Sequence, residues 1–307
     1  MLGSLILAAS RSPRLRGAVT TVPLTRRVVD RFVAGEELPD VLTAAAELRS
    51  RGLLATVDHL GEDTRDVATA TAVTAAYTTL LGRLADAGLA DGVEVSVKLS
   101  AVGQGLPGDG PAVSLANAAE ICAAAARAGT TVTVDMEDHT TVDATLETVR
   151  QLRADHPWVG VAVQSMLRRS EADCADLARA GSRVRLVKGA YAEPASVAHS
   201  GAADVDRAYV RCLRTLMAGD GYPMIGSHDP RMIAIGASLA TEYGRRPGSY
   251  EFQMLYGIRT DEQARLAAAG ERMRIYLPYG TDWYGYFMRR LAERPANVTF
   301  FLRALAG

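Results

Sequence analysis

Lysine is almost missing from this chain: of 34 basic residues all but Lys98 and Lys188 are arginine, and each of those two closes a short apolar run that reads as a β-strand. Arginine and lysine differ in shape, hydration and pKa behaviour, so lysine confined to two strand ends marks places where a compact point charge is wanted. Cysteine is scarce as well. Cys122, Cys174 and Cys212 lie far apart, with no Cys-x-x-Cys and no histidine at metal-ligand spacing. That pattern excludes a disulfide framework and a metal site, and predicts free thiols in a reducing cytoplasm. A net charge of −1 excludes the electrostatic footprint of a nucleic-acid binder. No apolar run approaches the roughly 18 residues of a membrane span. Residues 2–9 are apolar, but no basic residue precedes them; Leu2, Leu5, Ile6 and Ala9 fall at helical spacing, which reads as an amphipathic helix rather than a signal peptide. Aromatics make up only 6% of the chain, yet Tyr276, Tyr279, Trp283, Tyr284, Tyr286 and Phe287 crowd into one short stretch.

What is present is a regular alternation. Apolar runs at 53–59, 93–101, 131–136, 159–166, 184–190, 224–227, 250–255 and 272–277 read as strands. Between them lie stretches rich in Ala, Leu, Arg and Glu, such as 64–88, 115–129 and 261–270, each closed by a glycine where a helix C-cap needs one. Eight strand–helix units predict an α/β fold, a (β/α)8 TIM-type barrel whose active site lies at the C-terminal ends of the strands. Residues 1–50 then form a helical N-terminal arm, residues 51–307 the barrel, and the last helix, 283–294, lies over the active site. One motif points elsewhere: Gly103-Gln104-Gly105-Leu106-Pro107-Gly108 matches a dinucleotide fingerprint. Such a motif must open a helix at once to meet pyrophosphate, whereas Pro107, Asp109, Gly110 and Pro111 delay any helix, so the segment reads as an ordinary loop.

The strand ends carry a polar set: Asp58 with Glu62, Lys98, Asp135, Gln164, Arg185 with Lys188, His228, Gln253 and Tyr276. Ser227-His228-Asp229 is not a hydrolase triad, because consecutive residues cannot relay a proton among themselves. On the last helix, Tyr286, Arg289, Arg290 and Glu293 share an arc of about 100°. Paired guanidiniums aimed at one place suit a carboxylate, since each offers a planar fork of donors.

Several segments closely resemble the signatures of monofunctional, FAD-dependent proline dehydrogenase: Asp58-His59-Leu60-Gly61-Glu62, Val187-Lys188-Gly189-Ala190-Tyr191, Glu251-Phe252-Gln253-Met254-Leu255-Tyr256-Gly257, Tyr276-Leu277-Pro278-Tyr279-Gly280, and the run from Tyr286 to Pro295. The resemblance spans nearly the whole chain and implies oxidation of L-proline to 1-pyrroline-5-carboxylate, with hydride passing from proline C5 to FAD N5. It implies that Arg289, Arg290 and Lys98 pair with the proline carboxylate, that Tyr276, Tyr286 and Leu255 wall the ring, and that Glu293 orients the arginines. Asp135 would steer Tyr276, and Glu62 would pair with Arg289 as a gate. Arg185 would lie near flavin N5 and O4, and Gln164 near the polar edge of the flavin. Met136, Val187, Lys188, Gly189, Ala190, Tyr191, Ser227, His228 and Gln253 would line the rest of FAD. Ser227-His228-Asp229 departs from the Thr-His-Asn of many relatives. The resemblance further implies a membrane quinone as electron acceptor, hence a cytoplasmic protein in peripheral contact with a membrane; the length of the chain leaves no room for a fused aldehyde dehydrogenase domain.

Two other readings stay open at this point. A strand-end lysine in a barrel also suits a Schiff-base aldolase, and the same barrel could bind a flavin without catalysis.

Overall fold

A computed structural model of the protein describes residues 29–293, with side chains through Arg290. Eight parallel strands close into a barrel in sequence order: β1 (Leu54–His59), β2 (Val93–Val97), β3 (Val132–Val134), β4 (Gly160–Gln164), β5 (Arg183–Val187), β6 (Tyr222–Gly226), β7 (Glu251–Leu255) and β8 (Met273–Tyr279), with β8 pairing back onto β1 from Leu54↔Arg274 to His59↔Tyr279. Helices α1 (Leu38–Ser50), α2 (Val67–Asp86), α3 (Gly110–Ala128), α4 (Val142–Asp155), α5 (Ser170–Arg179), α6 (Ala202–Ala218), α7 (Pro230–Glu242), α8 (Thr260–Ala268) and α9 (Trp283–Glu293) alternate with them. The architecture is the TIM-type barrel that the alternation predicts. The amphipathic stretch at 2–9 and position 294 of the last helix lie outside the described residues.

Local chemistry sets the helix ends. Asp66 caps α2 by accepting from the Thr69 amide at 2.7 Å, and Gly129 closes α3 in the left-handed conformation that side chains disfavour. α3 opens earlier than its prolines suggest, at Gly110, because Pro111 in the first turn loses no hydrogen bond there. The dinucleotide reading of the loop before it fails on topology, since a closed barrel has no strand-order reversal.

Most of the strands are shorter than their apolar runs. β2 ends at Val97, and Leu99 and Ala101, although buried, belong to the following turns. Apolarity there reflects packing in the loop rather than sheet pairing. β8 is longer than its run, so Tyr276 stands in mid-strand, level with Thr56 and Leu255.

Two packing zones position the site. The outward faces of the strands and the inner faces of the helices form one apolar core, which α1 joins through Val41, Ala44, Ala45 and Leu48 while packing on β1 and β8. That is the place the helix after β8 would take in a regular barrel. Instead α9 builds a second cluster, in which Trp283, Tyr284, Tyr286, Phe287 and Met288 gather with Val29, Phe32, Val33 and Leu60. Leu60 directly follows β1, so this cluster seats the last helix at the C-terminal mouth.

The barrel interior is polar. Glu94, buried on β2, accepts from Thr56 Oγ1 (2.9 Å), Thr133 Oγ1 (3.1 Å), Thr131 Oγ1 (2.7 Å) and Arg183 Nη2 (2.7 Å). Glu251 on β7 accepts from Arg274 Nε at 2.6 Å and from Tyr222 Oη at 3.0 Å. Each buried acid therefore meets guanidiniums, as buried charge requires.

Candidate active site

Above this floor the strand-end residues form one network with Asp135 at its hub. Its Oδ1 accepts from Arg185 Nη1 at 2.6 Å and Ser96 Oγ at 2.7 Å, its Oδ2 from Tyr276 Oη at 2.7 Å, and Lys98 Nζ stands 3.9 Å away. The Arg185 guanidinium also donates from Nε to Gln253 Oε1 (2.7 Å) and lies 5.2 Å from the centre of the Tyr276 ring. The arginine is thus held on three sides, and its aim is fixed.

Lys98 is gripped by Asp58, a member of the strand-end set that sequence reasoning did not pair with it. Both carboxylate oxygens of Asp58, at the end of β1, accept from Nζ at 2.7 Å. Burial pulls the ammonium down, but Asp58 and then Asp135 more than reverse this, so its pKa lies above the usual lysine value and it stays charged.

α9 supplies the next layer. Arg289 Nη1 donates to Glu62 Oε1 at 3.0 Å across the mouth, with both side chains about one-third exposed. Burial lowers the Arg289 pKa and the Glu62 carboxylate outweighs it, leaving a net rise. Arg290 stacks over Tyr286, its guanidinium carbon 5.2 Å from the ring centre. The Glu293 side chain lies outside the described residues.

On the β4–β7 side, Gln164 is buried and donates to the Glu137 carbonyl at 2.6 Å. Gly226 leaves the wall beside it flat: a Cβ there would stand 2.8 Å from Val187 and 2.9 Å from the Leu186 carbonyl. Gly189 is similarly tight, in a left-handed conformation (φ +115°) in which any Cβ would collide with Met166. Met136 and Ser227 are buried at the neighbouring ends, whereas Ala190 and Tyr191 are exposed in the loop after β5. His228 Nε2 accepts from the Leu255 amide at 2.9 Å, which puts the proton of the neutral ring on Nδ1. Asp229 takes no part in a relay. With Asp206 it binds Lys188 (2.9 and 2.5 Å) and Arg231 (2.7 and 2.8 Å), closing a four-membered ring of alternating charge. Lys188, which the resemblance places beside the cofactor, is thereby engaged by two carboxylates.

Ser96, Glu94, Glu251, Arg274 and Asp206 are the residues sequence reasoning missed; Asp58 was in the strand-end set, but without a partner. Most left a readable signal in the period-two alternation of their strands, as in Val93-Glu94-Val95-Ser96-Val97 and Glu251-Phe252-Gln253. Polar residues at every second position of a fully buried strand face the barrel axis.

The proline dehydrogenase family model matches residues 41–303, most of the chain. Proline dehydrogenase of Deinococcus radiodurans is 42% identical over 284 residues, covering 91% of this chain and 90% of that protein. Proline dehydrogenase 2 of Bacillus subtilis is 36% identical over 281 residues, with 92% and 91% covered. The crystal structure of proline utilization A from Bdellovibrio bacteriovorus inactivated by N-propargylglycine superposes with a TM-score of 0.79 at 25% identity over 87% of this chain, which spans 32% of that longer one. With the barrel, the basic last helix and full-length relatives in agreement, the chain belongs to the proline dehydrogenase family.

Proposed function

We propose that the protein oxidises L-proline to 1-pyrroline-5-carboxylate with FAD as its cofactor. The observation that carries this reading is the convergence of Arg289 on α9 with Glu62 above the Asp58–Lys98–Asp135–Arg185 network. Cations there suit a small zwitterion's carboxylate, and the tyrosines suit its ring.

The residues fit a flavin. Arg185 is buried, its Nη2 makes no hydrogen bond and lies 3.6 Å from Glu94, Gln164 is buried at the end of β4, and the wall at Gly226 is flat. Donors beside a flat surface are what a planar, acceptor-rich ring system needs. When bound, FAD supplies the two-electron oxidant that takes hydride from the carbon beside the proline nitrogen. In this reading Lys98, Arg289 and Arg290 hold the carboxylate, Tyr276, Tyr286 and Leu255 wall the ring, and Glu293 orients the arginines. Arg185 and Gln164 lie along the flavin edge, with Met136, Val187, Gly189, Ala190, Tyr191, Ser227, His228 and Gln253 around it and Lys188 toward its charged end. Residues 1–50 serve as an arm to a catalytic barrel, and a membrane quinone reached by peripheral contact accepts the electrons. Among the described residues no helix is long and apolar enough to cross a membrane.

A Schiff-base aldolase is disfavoured by both lysines. Such a lysine works with a depressed pKa, whereas burial is outweighed by Asp58 at Lys98 and by Asp206 at Lys188, and both pKa values are raised. The deciding experiment is the visible spectrum of the purified protein before and after anaerobic L-proline: a flavin band that bleaches supports the proposal, and one that persists excludes it while leaving a flavin-binding barrel.

The gate is tested by coupling. Glu62→Ala should weaken proline binding or turnover several-fold, and the loss should largely vanish in an Arg289→Met background, because paired residues are not additive. Additive losses would show that the two act separately.

Ring specificity rests on Tyr276, whose hydroxyl is committed to Asp135 at 2.7 Å. A hydroxyl on ring C4 would meet the phenol or cost it that bond. The enzyme should therefore prefer L-proline to trans-4-hydroxy-L-proline by kcat/KM, and Tyr276→Ser should lower activity on proline while narrowing the ratio. An unchanged ratio would make Tyr276 a packing residue.

A further inference from the structure

Glu62 reaches Arg289 from a loop of unusual backbone. Among the described residues only Asp63 (φ 56°) and Arg259 (φ 53°) are non-glycine residues at positive φ, and Asp63 is Glu62's neighbour. A residue in that region persists only where surrounding structure holds it. Here one residue does so: Ser100 Oγ accepts from the Asp63 amide at 3.2 Å, and the Ser100 carbonyl accepts from both the amide (3.1 Å) and hydroxyl (2.8 Å) of Thr64.

Ser100 is fixed from below by Glu137, just past β3. Glu137 Oε2 accepts from the Ser100 amide at 3.0 Å, and Oε1 from the Ser100 hydroxyl at 2.5 Å. A serine hydroxyl has a single proton. Because the carboxylate takes it, the oxygen is left to accept from Asp63. Glu137 is buried, and burial outweighs its Ser100 hydrogen bonds and the more distant charge of Lys98 to leave its carboxyl above the usual glutamate value. A charged group buried there with no direct ion pair is costly, and both its oxygens accept from Ser100.

We propose that Glu137, acting through Ser100, is the positioning residue that moors the 61–64 loop and so sets where Glu62 meets Arg289. This rests on the reading of that pair as a gate over bound proline. Without the mooring, Asp63 relaxes to negative φ, Glu62 swings away, and substrate is held less well. Among the described residues the side-chain hydrogen bonds of Glu137 go to Ser100 and none to the Asp135–Arg185–Tyr276 network below, which keeps its geometry.

The test uses the flavin-loaded protein and two readouts. Glu137→Gln removes the charge at nearly constant shape, and Ser100→Ala removes the hydroxyl while leaving Glu137. Each should speed hydrogen–deuterium exchange of the Asp63 and Thr64 amides about tenfold and raise the proline KM about five- to tenfold, the scale of a lost charge-assisted bond, with kcat within about twofold. Ser100→Thr, which keeps a hydroxyl, should restore both. The KM effect should disappear in a Glu62→Ala background. Unchanged exchange in both variants would overturn the mooring, and so would a KM effect that persists undiminished without Glu62. A wild-type flavin that proline does not bleach would sink the proposed activity instead, while the exchange comparison still judges the mooring. If Glu137→Gln does not fold, Ser100→Ala and Ser100→Thr decide alone.

Discussion

Glu94→Gln is expected to lower stability by roughly 3–5 kcal/mol, the usual result of removing one partner from a buried ionic cluster, with a fall in Tm on the order of 10 °C for a chain of this size. The carboxylate sits 2.7 Å from Arg183, 3.6 Å from Arg185 and 3.9 Å from Arg274, and it also receives three threonine hydroxyls. Glutamine would keep the shape and some hydrogen bonds, yet leave Arg274 to Glu251 and Arg185 to Asp135, and take from Arg183 its carboxylate partner. Burial by itself would raise the carboxyl; Arg274, Arg183 and Arg185 reverse this and hold it well below the usual range. A depressed pKa fixes the sign of the pH dependence. Stability from this group is full above the ordinary glutamate value of 4.5 and is lost as the pH falls below it. Melting curves of the two proteins should therefore lie far apart at neutral pH and draw together in acid. Equal Tm at neutral pH would show that the cluster relaxes around the lost charge.

The barrel was legible because parallel strands buried on both faces carry the strongest period-two and apolar signals available, and glycines punctuate the helices between them. Lys98, Asp135, Arg185 and Tyr276 stood out as polar residues closing such runs. Asp58 and Gln253 stood out with them, but their pairing with Lys98 and Arg185 did not. Asp58 and Lys98 are forty positions apart, and Asp135 and Tyr276 farther still; only barrel closure and the β1–β8 register bring them together.

Strand ends were misjudged for a related reason. Leu99 is as apolar as any strand residue, but it packs into the core from the turns after β2. Periodicity reports burial and not hydrogen bonding. Ser100 and Glu137 carried no signal at all, since a serine in a loop and an acid after a strand are ordinary until the left-handed Asp63 is seen beside them.

The proposed carboxylate clamp carries the largest expected effect on activity. Arg290→Met should raise the proline KM at least tenfold with flavin retained, since truncating one member of a desolvated charge pair costs roughly 2–5 kcal/mol. Lys98→Met should raise KM as much, but it has a second consequence, because it strands the Asp58 carboxylate, whose side chain is 1% exposed. A buried charge left alone is destabilising, so Lys98→Met should also lower Tm by several degrees, on the scale of about 2–4 °C per kcal/mol. The two effects can be separated. Adding Asp58→Asn to Lys98→Met removes the stranded charge and should recover most of the lost Tm. It supplies no cation, and KM should stay high. If the double substitution recovers KM along with Tm, then Lys98 serves Asp58 and not the substrate, and the carboxylate is held by α9 alone.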